Sequence, residues 1–329
     1  MKSSRFETDF LIVGAGMAGL TAATELRHTG HDVLVIDKGR GVGGRLASRR
    51  IGGATFDHGA QFLTARNPRF AAAVDDWIAA EIVEEWWRGS PSQPDSHPHW
   101  RGSPSMTAVA KHLARDVEVL LGKRALSLHL DREGWVARLE GGETLSARAA
   151  LLTAPVPQSL DLMTGGGIEL PTEKRTHLEG IEYARCIAVM AVLDGPSRIP
   201  TPGGFSPTEG PIDWIADNQM KGVSATPAVT IHASAEFSLA NWNRDRQASG
   251  QELLDAAGLW LGSRVTEFQV HGWRYSKPVD GQPDPCLILS ESPPLVIAGD
   301  AFGGARVEGA ALSGWAAADA LEKIRSGDG

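Results

Sequence analysis

The chain has 329 residues, enough for about two domains with a core each. Its 32 Lys and Arg against 40 Asp and Glu leave a formal charge of −8, which disfavours binding to phosphate backbones or anionic lipid and makes nucleic acid a poor partner. Two cysteines, Cys186 and Cys286, show neither Cys-x-x-Cys nor Cys/His ligand spacing, which excludes a disulfide framework and fits a reducing cytoplasm.

The apolar start FLIVGAGMAGL is broken by glycines and preceded by Glu7 and Asp9. It lacks a basic leader and the roughly 18 apolar residues of a membrane span, so neither a signal peptide nor an anchor is expected there. The polar end LEKIRSGDG gives no tail anchor.

The first elements read as a buried strand (10–13), a glycine turn, a helix (18–28) and a second strand (32–36), a βαβ unit. Gly14, Gly16 and Gly19 form G-x-G-x-x-G at the strand-to-helix turn. The first permits the tight turn, the second lets the backbone approach a pyrophosphate, and the third lets helix and strand pack closely. Met17 and Ala18 open the helix, whose N-terminus faces the phosphates. Asp37, ending the second strand with Lys38 beside it, is placed to accept hydrogen bonds from a ribose diol. To this point the ligand is NAD or FAD.

A nicotinamide-only domain usually starts another helix next. Here DKGRGVGGRLASRR is a second glycine-rich loop, with Gly41, Gly43, Gly44 and Arg45, then Arg49 and Arg50. It suits a long dinucleotide whose pyrophosphate needs further donors. At this point the chain resembles the flavin amine oxidase-like superfamily. The resemblance implies FAD, and it implies that Asp57-His58-Gly59-Ala60-Gln61-Phe62 passes beside the flavin, Gly59 and Ala60 being small enough for close approach to a planar ring.

From about Ala71, FAAAVDDWIAAEIVEEWW has helical spacing, and RGSPSQPDSHPH then reads as a Ser- and Pro-rich surface loop. His97 and His99 have no Cys, Asp or Glu cluster to complete a metal site, and no metal is expected. SMTAVAKHLA predicts a helix, and residues 117–155 predict a β-meander. In it Leu126, Leu128 and Leu130 alternate, turns fall at 131–134 and 141–142, and Ala154-Pro155 ends a strand near the cofactor.

Residues 156 to about 280 change texture, with the short strands CIAVMAVL and AVTIHASA, a helical QELLDAAGLWL and several tryptophans. An antiparallel second domain is expected. Its ligand-facing candidates are Asp213, Trp214, Asn218, His232, Ser234, Trp242, His271, Trp273 and Tyr275, although tryptophan is also an ordinary core residue. The last segment, PPLVIAGDAFGGARVEGAALSGWAAADAL, gives a strand, Gly299-Asp300, a glycine-rich turn and a helix. In flavin disulfide reductase-like folds such a Gly-Asp pair binds the ribityl chain and pyrophosphate. The next helix N-terminus, here carrying Arg306, Val307, Glu308 and Ala310, points its dipole at the flavin pyrimidine.

Read together, GAQFLTAR, DWIADN, HGWRYSKP and GDAFGGARVEGAALSG resemble the renalase family along nearly the whole chain. Phe62-Leu63 departs from it, since an aromatic hydroxyl followed by Phe is expected there. The resemblance implies an oxidase of isomeric dihydronicotinamides, 2- or 6-dihydro-NAD(P), that passes electrons to O2 and yields β-NAD(P)+ and hydrogen peroxide. Aromatisation drives that hydride transfer, so aligned flat rings matter more than a strong base.

No Ser-His-Asp set, G-x-S-x-G, metal site or paired catalytic carboxylates stand in the sequence. Trp214, Trp273 and Tyr275 are expected as substrate walls, with His232 and Gln61 as polar contacts. One rival is an amine oxidase or desaturase-like dehydrogenase, which as an amine oxidase needs a lysine near flavin N5, with Lys221 or Lys277 as candidates. The other is a flavin-dependent mutase.

The expected fold class is α/β. A discontinuous Rossmann-type FAD-binding domain (1–70, 100–155 and 285–329) is expected beside a substrate domain of mainly antiparallel sheet plus helices (71–99 and 156–284). FAD binding at Gly14, Gly16, Met17, Ala18, Gly19, Asp37, Lys38, Gly44, Arg45, Gly59, Ala60, Gln61, Phe62, Ala154, Gly299, Asp300, Arg306, Val307, Glu308 and Ala310 is expected without a covalent link, in a monomer or weak homodimer.

Overall fold

The structure is a computed structural model and describes residues 7–90, 93–132 and 134–326. The chain divides into two compact units. One comprises residues 1–44, 110–182 and 278–329, the other 45–109 and 183–277.

The first unit is an α/β layer. Its sheet runs in the order Cys286–Glu291, Pro294–Ala298, Thr144–Leu152, Glu7–Val13, Val33–Asp37, Glu118–Leu121. The last five strands are parallel. Cys286–Glu291 pairs antiparallel at one edge, and the meander strands Ala125–Asp131 and Gly134–Leu139 add antiparallel to Thr144–Leu152. The central strand Phe10-Leu11-Ile12 is fully buried, as expected where a parallel sheet is covered on both faces.

The helix Met17–His28 lies against Val307–Ser326. A Cβ at Gly314 would sit 2.2 Å from the Ala18 carbonyl oxygen, so only glycine permits this crossing. The turn expected at 131–134 includes residue 133, which lies outside the described residues.

The second unit is built on an antiparallel sheet ordered Gly204–Phe205, Ile212–Asp217, Ala228–Ala233, Tyr183–Leu193, Val265–Pro278. The helices Ala235–Ala240 and Arg246–Ala256 pack on Tyr183–Leu193 over a core that includes Ile187, Val189, Ile215, Ile231 and Leu253. Two hairpins complete the unit, Ser48–Ile51 with Ala54–Asp57 and Val83–Ser90 with Gln93–Gly102.

Three expectations are corrected. Residues 45–70 and 100–109 belong to the second unit, because the 48–57 hairpin packs on the Ala228–Ala233 strand, while 156–182 belongs to the first. The helix predicted from Ala71 covers Pro68–Ala79, capped by Asn67, and stops before Trp86 and Trp87. Trp86 and Trp87 are on a strand instead, and the predicted surface loop through His97 and His99 is its hairpin partner, so pairing overrides the turn-forming composition. No described helix is long and apolar enough to cross a membrane. No described group of three or more His, Cys, Asp and Glu could hold a metal ion, and Cys186 and Cys286 are free.

Candidate functional site

In the first unit the glycine turn has the shape a dinucleotide needs. Gly14 (φ +119) closes the turn through its N–H to the Ile36 carbonyl at 2.8 Å, with the Thr153 hydroxyl donating to the Gly14 carbonyl at 3.1 Å. A methyl at Gly19 would sit 1.9 Å from the Gly14 carbonyl oxygen, whereas nothing lies within 4 Å of the position a Cβ would take at Gly16. The helix starting at Met17 has no side-chain cap and no acidic residue in its first turn. It therefore presents free N–H groups and a positive dipole end to an anion.

Asp37 braces this turn, accepting from the N–H of Ala15 at 2.8 Å and of Gly39 at 2.6 Å. The second glycine loop docks on the first, with the Gly43 N–H donating to the Ala15 carbonyl at 2.7 Å and Gly44 passing close to Gly16. Lys38 donates to Gln158 at 2.8 Å, and Ala154 accepts from Ser159 at 3.1 Å. At the other end of the sheet, the Gly299 N–H (φ +145) donates to Ser313 Oγ at 2.8 Å, ahead of the buried Asp300. Arg306, Val307, Glu308 and Ala310 lie around the start of the last helix, Glu308 being buried in its first turn. Uncapped N–H groups, an open glycine and a braced acid fit a dinucleotide in the FAD position.

In the second unit, Asp57 is a fully buried hub. One carboxylate oxygen takes the Lys221 ammonium at 2.8 Å, the other takes Ser48 Oγ at 2.6 Å and the Met106 N–H at 3.0 Å. Its N–H donates to Asn218, and its carbonyl accepts from Gln61 Nε2 and Thr230 Oγ1. Burial lowers the pKa of Lys221, and Asp57 opposes that shift. The next residue is pinned as firmly, since the His58 carbonyl accepts from Trp273 Nε1 at 2.8 Å and His232 Nε2 at 3.0 Å. Gly59 is small for a reason the sequence did not reveal: a Cβ there would meet the Arg45 carbonyl oxygen at 2.0 Å, the same oxygen that accepts the Ala60 N–H. Arg45 itself donates to the Ser276 carbonyl at 3.0 Å.

Three histidines of this region are held neutral. Burial pushes His58 down to about 3, with His271, Arg49 and His232 adding to the shift. Burial likewise lowers His232 and His271 to about 4 each. Buried His58 Nδ1 and Gln61 Oε1 have no partner among the described residues.

Phe62 stands in a box of half-buried rings. Its centroid lies 4.8 Å from His99, 5.1 Å from Trp87, 5.4 Å from Trp214 and 6.5 Å from Trp86. Trp214 and His232 are directly paired across their strands. Trp273 belongs to a separate cluster with His58 and His271, and Tyr275 meets Tyr183 edge-on at 5.5 Å. Trp214 is thus grouped with Phe62 and apart from the other two expected walls.

Other candidates are structural. Asn218 bridges Asp57 and Thr230, Ser234 caps the helix at Ala235, Trp242 makes cation–π contacts with Arg185 and Arg246, and Asp213 is exposed. Trp86, Trp87 and His99 were not among the expected site residues. Their one sequence signal is the aromatic content of EEWW and HPHW, which only a hairpin register turns into a shared face.

Residues 12–77 match the NAD(P)-binding Rossmann-like domain and residues 70–321 match the flavin containing amine oxidoreductase model. The chain belongs to the flavin containing amine oxidoreductases. The fold agrees, since a solved putrescine oxidase triple mutant superimposes with a TM-score of 0.72 at 14% identity, covering 97% of this chain and 100% of that one.

A flavin-containing monoamine oxidase AofH of Mycobacterium tuberculosis is 47% identical over 55 residues, 17% of this chain, so the match spans only 12% of that relative's length. Renalase of Mus musculus is 24% identical over 323 residues, covering 89% of this chain and 92% of that protein. Membership of this family implies FAD as the cofactor.

Proposed function

We propose that the chain oxidises isomeric dihydronicotinamides, 2- or 6-dihydro-NAD(P), to β-NAD(P)+, with O2 and one proton consumed and hydrogen peroxide released. The observation that carries this reading is the character of the second unit around Asp57–Phe62, where aromatic rings crowd together and the basic groups are silenced. Lys221 is locked to Asp57, and His58, His232 and His271 are held neutral by burial.

Such surroundings suit a reaction in which a flat ring gives up hydride and gains aromaticity, so that no protein base must take a proton. Bound FAD, held without a covalent link, supplies the two-electron acceptor. The residues of this chain then bind and orient: Phe62 and Trp214 offer ring faces in one cluster, Trp273 and Tyr275 in others, and Gln61 offers an unpaired amide oxygen. His232 contributes by fixing the His58 carbonyl. Similarity to renalase over nearly the full length of both chains supports the same reading.

Family membership keeps amine oxidation as the competing activity. Against it, Lys277 is exposed and the Lys221 ammonium is already committed to a carboxylate. Anaerobic stopped-flow mixing of the FAD-loaded protein with 2-dihydro-NAD, 6-dihydro-NAD, ordinary β-NADH and a panel of amines decides between them. Fast bleaching by a dihydro isomer, with β-NADH and amines slow, is the expected result. Bleaching by amines alone, or by nothing short of dithionite, sinks the proposal.

A further inference from the structure

Trp273 and His232 stand on two strands that flank Tyr183–Leu193 in the sheet of the second unit, and both reach the same atom. The Trp273 indole N–H donates to the His58 carbonyl oxygen at 2.8 Å, and His232 Nε2 lies 3.0 Å from it. A carbonyl oxygen can only accept, so Nε2 carries a proton there whatever the charge of the ring. The indole is held in turn by its neighbours, with its centroid 5.1 Å from the His58 ring and 4.2 Å from His271.

Two donors on one carbonyl fix more than that oxygen. The 58–59 peptide is trans, so the Gly59 N–H points the opposite way from the His58 carbonyl. Among the described residues nothing accepts from this N–H, although the Asp57 N–H donates to Asn218 and the Ala60 N–H to Arg45. Gly59 is half-buried, and the side on which a Cβ would stand is closed by the Arg45 carbonyl. The result is a free donor whose direction is set from behind and whose polarity is increased by the two bonds on its own carbonyl. A backbone donor left unpaired in a partly buried segment is completed by water or by a ligand.

Charge decides which ligand. In hydride transfer the accepting ring gains negative charge, whereas the dihydronicotinamide that gives up hydride becomes a cationic pyridinium. A fixed N–H dipole stabilises the first and opposes the second. We infer that Trp273 and His232 are positioning residues that hold the Gly59 N–H as a hydrogen-bond donor to the flavin ring of bound FAD and so raise its affinity for hydride. The inference rests on the proposed hydride transfer to FAD, and not on which substrate supplies the hydride.

The test reads the flavin without any substrate. The two-electron reduction potential of the FAD-loaded protein is measured against a reference dye for the wild type, Trp273→Phe, His232→Phe and His232→Gln. Trp273→Phe keeps a ring beside His58 and loses only the N–H. It is expected to shift the equilibrium toward oxidised flavin by about tenfold, a fall in potential of about 30 mV for a two-electron couple. His232→Phe is expected to do the same, while His232→Gln, which restores an N–H at the reach of Nε2, stays within about threefold of wild type. A loss of packing alone would not be rescued in this way. The wild type gives a second reading that needs no variant. In the FAD-loaded protein the Gly59 amide is expected to exchange its hydrogen at least about a hundredfold more slowly than an unstructured amide.

Potentials within about twofold of wild type in both Phe variants overturn the inference, as does a His232→Gln that falls as far as His232→Phe. Unprotected exchange at Gly59 in the FAD-loaded wild type overturns it too. If the potentials fall as expected but no dihydronicotinamide bleaches the flavin, the clamp stands and the proposed substrate falls. Fast bleaching by a dihydro isomer with unchanged potentials leaves the substrate and removes the clamp.

Discussion

Separating Asp57 from Lys221 tests whether the second unit is built around their pair. Both side chains are fully buried, with Nζ 2.8 Å from Oδ2. Breaking a buried ion pair from one side costs about 3–5 kcal/mol, because the other charge stays behind without compensation. Asp57→Asn keeps one oxygen for Ser48 Oγ and the Met106 N–H but turns an amide N–H toward the ammonium. Lys221→Met leaves a carboxylate that still accepts two hydrogen bonds and replaces the cation over the Trp86 ring, 4.9 Å away, with an apolar chain.

The expected costs are therefore about 4 kcal/mol for Asp57→Asn and about 3 kcal/mol for Lys221→Met, with the double variant milder than their sum by about 2 kcal/mol. Urea unfolding followed by tryptophan emission is a suitable assay, since eight of the ten tryptophans lie in the second unit. A pH signature accompanies it. Burial already lowers the Lys221 pKa and Asp57 opposes this, so in Asp57→Asn the folded pKa drops further below the unfolded value. The variant should then gain stability relative to wild type as pH rises from 7 to 9. A neutral Lys221→Met, or penalties that simply add, would show that the pair is not the strut described.

Two further predictions concern the cofactor and acid. Gly19→Ala places a methyl 1.9 Å from the Gly14 carbonyl oxygen, a backbone clash that no side-chain rotation relieves, and 2.8 Å from the Thr153 hydroxyl. Purified Gly19→Ala should retain under about a tenth of the wild-type flavin, read from the yellow supernatant after acid precipitation, which should hold all the wild-type FAD if the link is non-covalent. As for acid, His58 at about 3 and His232 and His271 at about 4 all lie below the ordinary histidine value. The unfolded chain thus takes protons below about pH 6.5 that the folded chain refuses until near pH 4, so stability is complete above 6.5 and falls as pH drops. His58 alone contributes a slope of about 1.4 kcal/mol per pH unit, and urea midpoints that stay level between pH 7 and 5 refute the neutral cluster.

What could be read in advance follows the distance over which each feature is specified. G-x-G-x-x-G and Asp37 are local, because the strand, turn and helix that give them meaning lie within 30 residues, and the structure places Gly14, Gly19 and Asp37 in one braced turn. The segment after Asp57 was legible as unusual but not as to cause. Its anchor is Lys221, 164 positions away, and its glycine accommodates the Arg45 carbonyl.

The aromatic box was hidden for a different reason. Pro and Ser in 89–98 argue for a loop by composition, yet cross-strand pairing places Trp87 opposite His99 and turns two unrelated aromatic tracts into one wall. Period alone could not have separated strand from helix in EEWW, where neighbouring tryptophans satisfy neither pattern cleanly. Register decides which side chains share a face, and register is a property of two segments rather than one. The cofactor could therefore be named from single segments, whereas the aromatic box around Phe62 emerges only where two segments pair.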